Sequence, residues 1–454
     1  MRVMKWSMIA LAVAAAASTQ MATAAPFVSD QAEAKGFVED AKFDLLLRNY
    51  YFNRDNKNRG HDQKDWTQGI WGNFSSGYTQ GTVGVGVDAF GYLAIKLDGG
   101  DGTSGTGNMS RSDTIKANGY AHEVNDSQGK AGAAVKFRVS KTELKFGDMQ
   151  PSTAPVFAVG GSRILPQTAR GFQLQSSEVK KTLTLKPVIF LLGVQPGQKN
   201  ALDGDLWSQY ADNIKANSID YFGGKYGITD NLSASLYGAK LEDVWNQYYA
   251  NVNLTTPFSG DTSLNTDFNI YRTTDTGDAK AGDISNNTFS LATALSFLKA
   301  HTITLAFQKV NGDTPFDYVG VGKNNRGGDS IFLANSIQYS DFNAPNEKKS
   351  VQVRYDLKMA EYGVPGLSFM TRYAKGWDID GTKMDADSPY AAYGYGADGK
   401  HHETNLEAKY VVQTGPAKDL SFRIRQAWHR ANTDQAEGDI NEFRLIVDYP
   451  ISVL

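Results

Sequence analysis

Apolar and polar side chains alternate at a period of two along most of this chain. In Phe289–Phe297, FSLATALSF, the odd positions carry Phe289, Leu291, Thr293, Leu295 and Phe297, and the even ones carry Ser290, Ala292, Ala294 and Ser296. After Leu298–His301, the run TITLAFQ places Ile303, Leu305 and Phe307 on one side and Thr304, Ala306 and Gln308 on the other. Successive side chains of a strand point to opposite faces, so the two runs predict a hairpin with a short turn. The layout recurs. YFGGKYGI turns at Thr229-Asp230-Asn231 into LSASLYGA, VQVRYDL turns at Gly363-Val364-Pro365-Gly366 into LSFMTRY, and LEAKYVVQ turns at Gly415-Pro416-Ala417-Lys418 into LSFRIRQ.

Longer polar segments separate these hairpins: Asn253–Gly282, Asn311–Asp329, Lys375–Glu403 and Arg430–Glu442. Short turns at one end and long loops at the other predict an all-β, transmembrane antiparallel β-barrel. Each run is close to the ~9–11 residues that a tilted strand needs to cross a bilayer. The length allows about 16 to 18 strands, an even number, with a lumen wide enough to hold water. A secreted β-sandwich or β-helix would also alternate. Tyrosines at the run ends (Tyr226, Tyr355, Tyr373, Tyr410, Tyr449) favour the barrel, because they suit the boundary between lipid and water.

Parity then assigns direction. In DLSFRIRQAWHRA, Asp419–Ala431, the residues Phe422, Ile424 and Trp428 share one face, while Arg423, Arg425 and His429 share the other. Arg354, Arg372, Lys409 and Arg444 likewise oppose the apolar positions of their own runs. A charge facing lipid at the midplane costs about 2–4 kcal/mol, so these six cations are expected to face the lumen. Neighbouring strands lie about 4.8 Å apart, close enough for the cations to form a track that attracts anions. A second reading pairs them with Asp356, Glu407 and Asp448 to brace the wall, and a mixture of the two is expected.

Arg2 and Lys5, the apolar run Met8–Ala17 and the small residues Ala22-Thr23-Ala24 have the three-part layout of a secretory signal peptide, residues 1–24. The apolar run is short of the roughly 20 residues of a helical span. Residues 25–454 are expected to form a single barrel domain, since no linker or charge block divides them. The chain has no cysteine, so its stability must come from a hydrogen-bonded framework without disulfides. Its net charge of −3 gives no bulk attraction to nucleic acid.

Several motifs carry a resemblance: FVSDQAEAKGF, DLLLRNYYFNRD, TQGTVG, VDAFGYL, GGSRILPQTARGFQLQSSE, GDSIFLAN, DGKHHETNLEAKYVVQ and KDLSFRIRQAWHRA. They are long, they occur in order, and they resemble the OprD (Occ) family of outer-membrane porins of pseudomonads from the leader to the last strand. The resemblance implies a monomeric barrel of about 18 strands in the bacterial outer membrane, with a third loop, Met149–Phe172, folded into the lumen. It implies selective passive diffusion of basic amino acids and small basic peptides, with carbapenem antibiotics entering by the same route. The implied partners are these small cationic or zwitterionic solutes and the lipid and lipopolysaccharide around the barrel, with no cofactor. Arg163 corresponds to a constriction arginine. Tyr210, Tyr318, Ser336 and Tyr339 correspond to polar eyelet positions, Asp329 and Asp341 to an acidic pocket, and Lys409, Arg423, Arg425 and Arg444 to a basic ladder. A general, weakly selective porin is the alternative.

The chain departs from the family at Glu178–Leu202, where Pro187–Val194 lacks alternation; a pair of compensating frameshifts would produce such a run. Arg170 adds a cation in the third loop, and Gln63 stands where the family can carry a ladder arginine. Family members have also been proposed as serine peptidases. The matching positions are Asp243 and Ser330, but the histidine position falls near Ile189, which leaves no base for the serine. No metal site is expected: His401 and His402 are adjacent on a strand and must point to opposite faces. The stretch Asp98–Gly102 lacks the spacing of a calcium loop, and Gly84–Gly91 reads as a small-residue strand without a following helix.

Overall fold

The computed structural model describes residues 28–178, 206–322 and 331–454, and residues 189–196 as backbone. Its main sheet is 18-stranded. The strands are β1 (Lys42–Asn56), β2 (Gln63–Ser75), β3 (Val83–Gly99), β4 (Ser127–Val139), β5 (Thr142–Met149), β6 (Ala169–Ser176), β7 (Ile189–Pro196), β8 (Ser218–Gly227) and β9 (Leu232–Leu241). They continue with β10 (Trp245–Pro257), β11 (Ser263–Asp275), β12 (Ser285–Phe297), β13 (His301–Asn311), β14 (Lys349–Lys358), β15 (Leu367–Ile379), β16 (Gly399–Val411), β17 (Ser421–Ala431) and β18 (Ile440–Ser452). Each pairs antiparallel with its chain neighbours, and β18 returns to β1 from Asp44↔Ser452 to Asn56↔Ile440. The sheet therefore closes on itself. Closure leaves no unpaired strand edge, which a lipid core would not tolerate.

The connections 140–141, 228–231, 258–262 and 298–300 lie at one end, and the long ones, 100–126, 150–168, 312–348 and 380–398, lie at the other. One expected loop is overturned. Asn253–Gly282 contains the end of β10, a tight turn and all of β11. Its polar side, Asn265, Asp267 and Asn269, faces inward, where Asn251 and Asn253 of β10 hydrogen-bond to it. Lys375–Glu403 and Arg430–Glu442 also shorten to the connections 380–398 and 432–439. Residues Ile189–Val194 of the run without alternation lie in β7, which pairs with β6 and β8; residues 179–188 and 197–202, like residues 1–24, fall outside the described residues.

The outer face is an apolar belt read at every second position: Val135, Phe137 and Val139 on β4, Leu291 and Leu295 on β12, Ile303 and Leu305 on β13, Phe422 and Ile424 on β17. These side chains are exposed, and a bilayer would cover them. Tyr373 and Tyr410 belong to the same face.

The hydrophobic core sits inside the barrel. The third connection at that end, 150–168, crosses the lumen, with Val156 and Phe157 wholly buried in a cluster with Tyr221, Trp245 and Tyr271. At its far side the Tyr271 hydroxyl donates to the Pro155 carbonyl at 3.0 Å. At its near side Arg48 Nη1 donates to the carbonyls of Gly161 and Arg163 at 2.8 and 2.9 Å, and Trp71 Nε1 donates to that of Ile164 at 2.6 Å. Gly69 on β2 admits this approach, since a Cβ there would meet the Ile164 carbonyl at 2.9 Å. Burying one Phe157-sized side chain contributes about 1.5–3 kcal/mol toward holding the loop inside.

Candidate functional site

The inward face of β14 to β18 is the cationic wall. Register places Arg354 opposite Arg372, Lys409 opposite Arg423, and Arg425 opposite Arg444. Like charges directly across a strand pair are unfavourable by about 0.2–1 kcal/mol each, so the arrangement is not one that stability alone would favour. All six share the inward face, while Val353, Tyr373, Tyr410, Phe422 and Ile424 beside them face out.

Carboxylates neutralise this wall only in part. Arg354 forms a two-point pair with Asp356 at 2.7 Å. Glu407 is shared: its Oε2 lies 2.7 Å from Arg423 Nη2 and 3.1 Å from Arg425 Nε. Glu442 is also shared, 2.6 Å from Arg54 Nη2 and 2.6 Å from Arg444 Nη2. Arg372 donates from Nε to the neutral Asn405 side-chain oxygen at 2.8 Å. Asp448, expected to brace the ladder, instead pairs with Arg48 at 2.7 Å. Among the described residues the track is therefore braced in places and carries excess positive charge.

Arg48, Arg54 and Phe52 were not singled out from the sequence, yet they complete the wall on β1. The guanidinium groups of Arg54, Arg163 and Arg444 lie 5.2, 5.2 and 4.7 Å from the centre of the buried Phe52 ring. The ring's negative face offsets part of their mutual repulsion. Arg163 itself hangs from the inward loop and donates from Nε to the Thr106 carbonyl at 2.8 Å. Burial and the neighbouring Arg444 charge depress its pKa to about 10.

The opposite side is built from loops and centres on Asp341. Tyr210 and Ser336 hydroxyls donate to its two oxygens at 2.5 Å each, and the Tyr318 hydroxyl donates at 3.2 Å. Three of the four expected eyelet residues thus converge on one carboxylate. Burial pushes that carboxyl above the usual range, while the Ser336 and Tyr210 hydroxyls act to lower it. Behind it lies Asp317, wholly buried, which accepts from Ser208 Oγ at 2.5 Å, the Tyr390 hydroxyl at 2.8 Å, and the backbone N–H groups of Tyr210 and Tyr318 at 3.0 and 2.8 Å. It ties three loop segments together. Tyr339 turns the other way, with the Arg54 guanidinium 5.1 Å over its ring. Between them, Gln338 accepts from Arg444 Nη2 at 3.1 Å through its carbonyl. One short stretch, 336–341, therefore touches both walls of the opening.

Asp329 and Ser330 lie outside the described residues. Arg170 is not in the inward loop: it is the second residue of β6, points outward and pairs with Asp148 at 2.8 Å, so it adds no charge to the lumen. Gln63 accepts from Arg54 Nη1 at 3.0 Å and so supports the wall.

A barrel narrowed by an inward third loop, with excess cations facing a hydroxyl-capped carboxylate, is matched by a family model described as outer membrane porin, OprD family, over residues 35–453. The chain belongs to the OprD family. It is 64% identical over 457 residues to Porin D of Pseudomonas aeruginosa, covering 100% of both chains. It is 35% identical over 432 residues to the porin-like protein GalP of Pseudomonas putida, covering 93% of this chain and 95% of that one. A crystal structure of Pseudomonas aeruginosa OprD superposes with a TM-score of 0.81 at 61% identity, covering 95% of this chain and all of that one. As an OprD-family member, the chain is an outer-membrane, substrate-selective porin, a channel rather than an enzyme. In keeping with that, Asp243 sits in the turn after β9 and pairs with Lys280 at 3.1 Å.

Proposed function

We propose that the pore passes basic amino acids and small basic peptides by passive diffusion, and that carbapenem antibiotics use the same route. The observation that carries this reading is the opposition of Asp341 to a wall whose cations, among the described residues, outnumber their carboxylate partners. A zwitterion's carboxylate would be drawn along the arginine track, while its ammonium groups would meet Asp341. Opposed charges orient the solute and replace part of its hydration shell, and sharing each charge with protein partners keeps the contacts weak enough for release. In this reading Arg163, Arg354, Arg372, Lys409, Arg423, Arg425 and Arg444 hold the carboxylate in turn. Tyr210, Tyr318 and Ser336, with Asp341 and Asp329, line the side that meets the ammonium groups, while Tyr339 stands on the arginine side. A single barrel spanning residues 25–454, acting as a monomer in lipid and lipopolysaccharide after removal of residues 1–24, is part of the same proposal.

Liposome swelling separates this from weak, general selectivity. Arginine should enter faster than a neutral sugar of similar size, and carbapenem should slow arginine. Equal rates for arginine and the sugar would reject the proposal.

A further inference from the structure

Away from the arginine track, at the loop end of the lumen, β16, β17 and the connection 432–439 bring together His401, His429 and Glu437. Both imidazoles are buried, at 2% and 0% exposure. His401 Nδ1 lies 3.0 Å from His429 Nε2 and 3.6 Å from Glu437 Oε2, and His429 Nε2 lies 3.3 Å from that same oxygen. The outer nitrogens are engaged elsewhere. His429 Nδ1 is 2.8 Å from the Gly438 carbonyl, and His401 Nε2 is 3.0 Å from Glu347 Oε1. A carbonyl only accepts, so the neutral His429 ring carries its proton on Nδ1 and turns a lone pair inward from Nε2. The Glu347 carboxylate sets the His401 tautomer in the same way. One proton bridges the two inward nitrogens at 3.0 Å; a cation that displaces it meets two imidazole lone pairs and a carboxylate oxygen, which also accepts from the Gln435 amide at 2.8 Å.

We propose that His401, His429 and Glu437 bind a borderline divalent transition-metal cation, Zn²⁺ in the first instance. With Zn–N and Zn–O bonds of about 2.0–2.2 Å, tetrahedral ligand atoms stand about 3.3–3.5 Å apart, a spacing the three separations bracket. Two imidazoles and one carboxylate suit zinc, whereas magnesium and calcium take oxygen ligands. Glu347 and the Gly438 carbonyl hold the outer imidazole nitrogens, as partners behind a metal site commonly do. Phe342 against His401, at 4.1 Å, and Tyr339 against His429, at 5.0 Å, wall in the rings. The Glu437 side chain keeps 13% exposure, so the cluster is not sealed from solvent. His402 takes no part: it faces out, 5.8 Å from the Tyr373 ring.

The test uses the full-length protein in detergent, stripped of metal by a chelator and titrated calorimetrically with ZnCl₂. Bound zinc is also measured after gel filtration, and barrel integrity is followed by heat-modifiable migration. One Zn²⁺ per chain is expected, with no heat from MgCl₂. His429→Gln and Glu437→Gln should abolish retention, Glu347→Gln should weaken binding about tenfold to a hundredfold, and His402→Gln should leave it intact. Absence of bound zinc on the folded unsubstituted barrel would overturn the proposal. So would retention unchanged in folded His429→Gln and Glu437→Gln variants.

Discussion

Replacing Arg425 with glutamine removes one excess charge from the track without stranding another. Glu407 Oε2 contacts Arg423 at 2.7 Å and Arg425 at 3.1 Å, so these three residues carry one net positive charge. After the substitution Glu407 keeps Arg423, and the site becomes neutral. A passing carboxylate about 4 Å from the lost guanidinium would forfeit about 1 kcal/mol in bulk water and about 4 kcal/mol at an effective dielectric constant near 20. A water-filled lumen lies toward the lower figure, so attraction of anions should weaken about fivefold. In a planar bilayer under a salt gradient, the reversal potential should shift toward cation preference, and liposome swelling with arginine should slow. Arg425→Lys should retain most of the preference. The difference should also shrink near 1 M salt, where the screening length falls to about 3 Å. An Arg425→Gln channel of normal conductance with unchanged reversal potential and arginine flux would refute the track.

Replacing both Arg423 and Arg425 with alanine leaves Glu407 alone and reverses the local sign, so arginine flux should fall below that of the single variant in the same assay. Asp317→Ala would leave buried donors on Ser208, Tyr390 and two backbone N–H groups unmatched, at about 1–3 kcal/mol each; loosened loops should appear as larger, noisier single-channel currents. Phe52→Leu removes the ring beneath Arg54, Arg163 and Arg444, and at about 0.5–2 kcal/mol per cation contact it should lower the urea midpoint for barrel unfolding. Because burial raises the Asp341 carboxyl, it should take up a proton at higher pH than an exposed aspartate as the solution is acidified. Arginine selectivity should therefore decline early on the acid side, and Asp341→Asn should flatten that part of the profile.

Hairpins with compact turns were legible because each flanking run kept one apolar parity, as around Thr229–Asn231. The basic ladder was legible for the same reason, since Arg423 and Arg425 alternate cleanly with Phe422 and Ile424. Strand β11 escaped notice because a wide aqueous lumen lets an inward face be as polar as a loop; Asn265, Asp267 and Asn269 carry no mark that separates the two. Arg48, Phe52 and Arg54 were obscured by Leu45-Leu46-Leu47, which puts apolar residues on both parities just before them. Asp317 had no local signal at all, because its partners Ser208 and Tyr390 arrive from distant loops. Parity correctly sent His401 and His402 to opposite faces, but it could not bring His429 and Glu437 to His401, which depends on cross-strand register and loop closure.

The inward direction of the cations can be tested directly, because the chain has no native cysteine to interfere. Cysteine is placed singly at Arg423 and at Ile424, and each channel is exposed in a planar bilayer to a small, charged, membrane-impermeant thiol reagent. Labelling at position 423 should step the single-channel current down, while position 424 should stay silent to that reagent and react only with a lipid-soluble one. Current block from position 424, with position 423 unreactive, would place the arginines against lipid and contradict a cationic lumen.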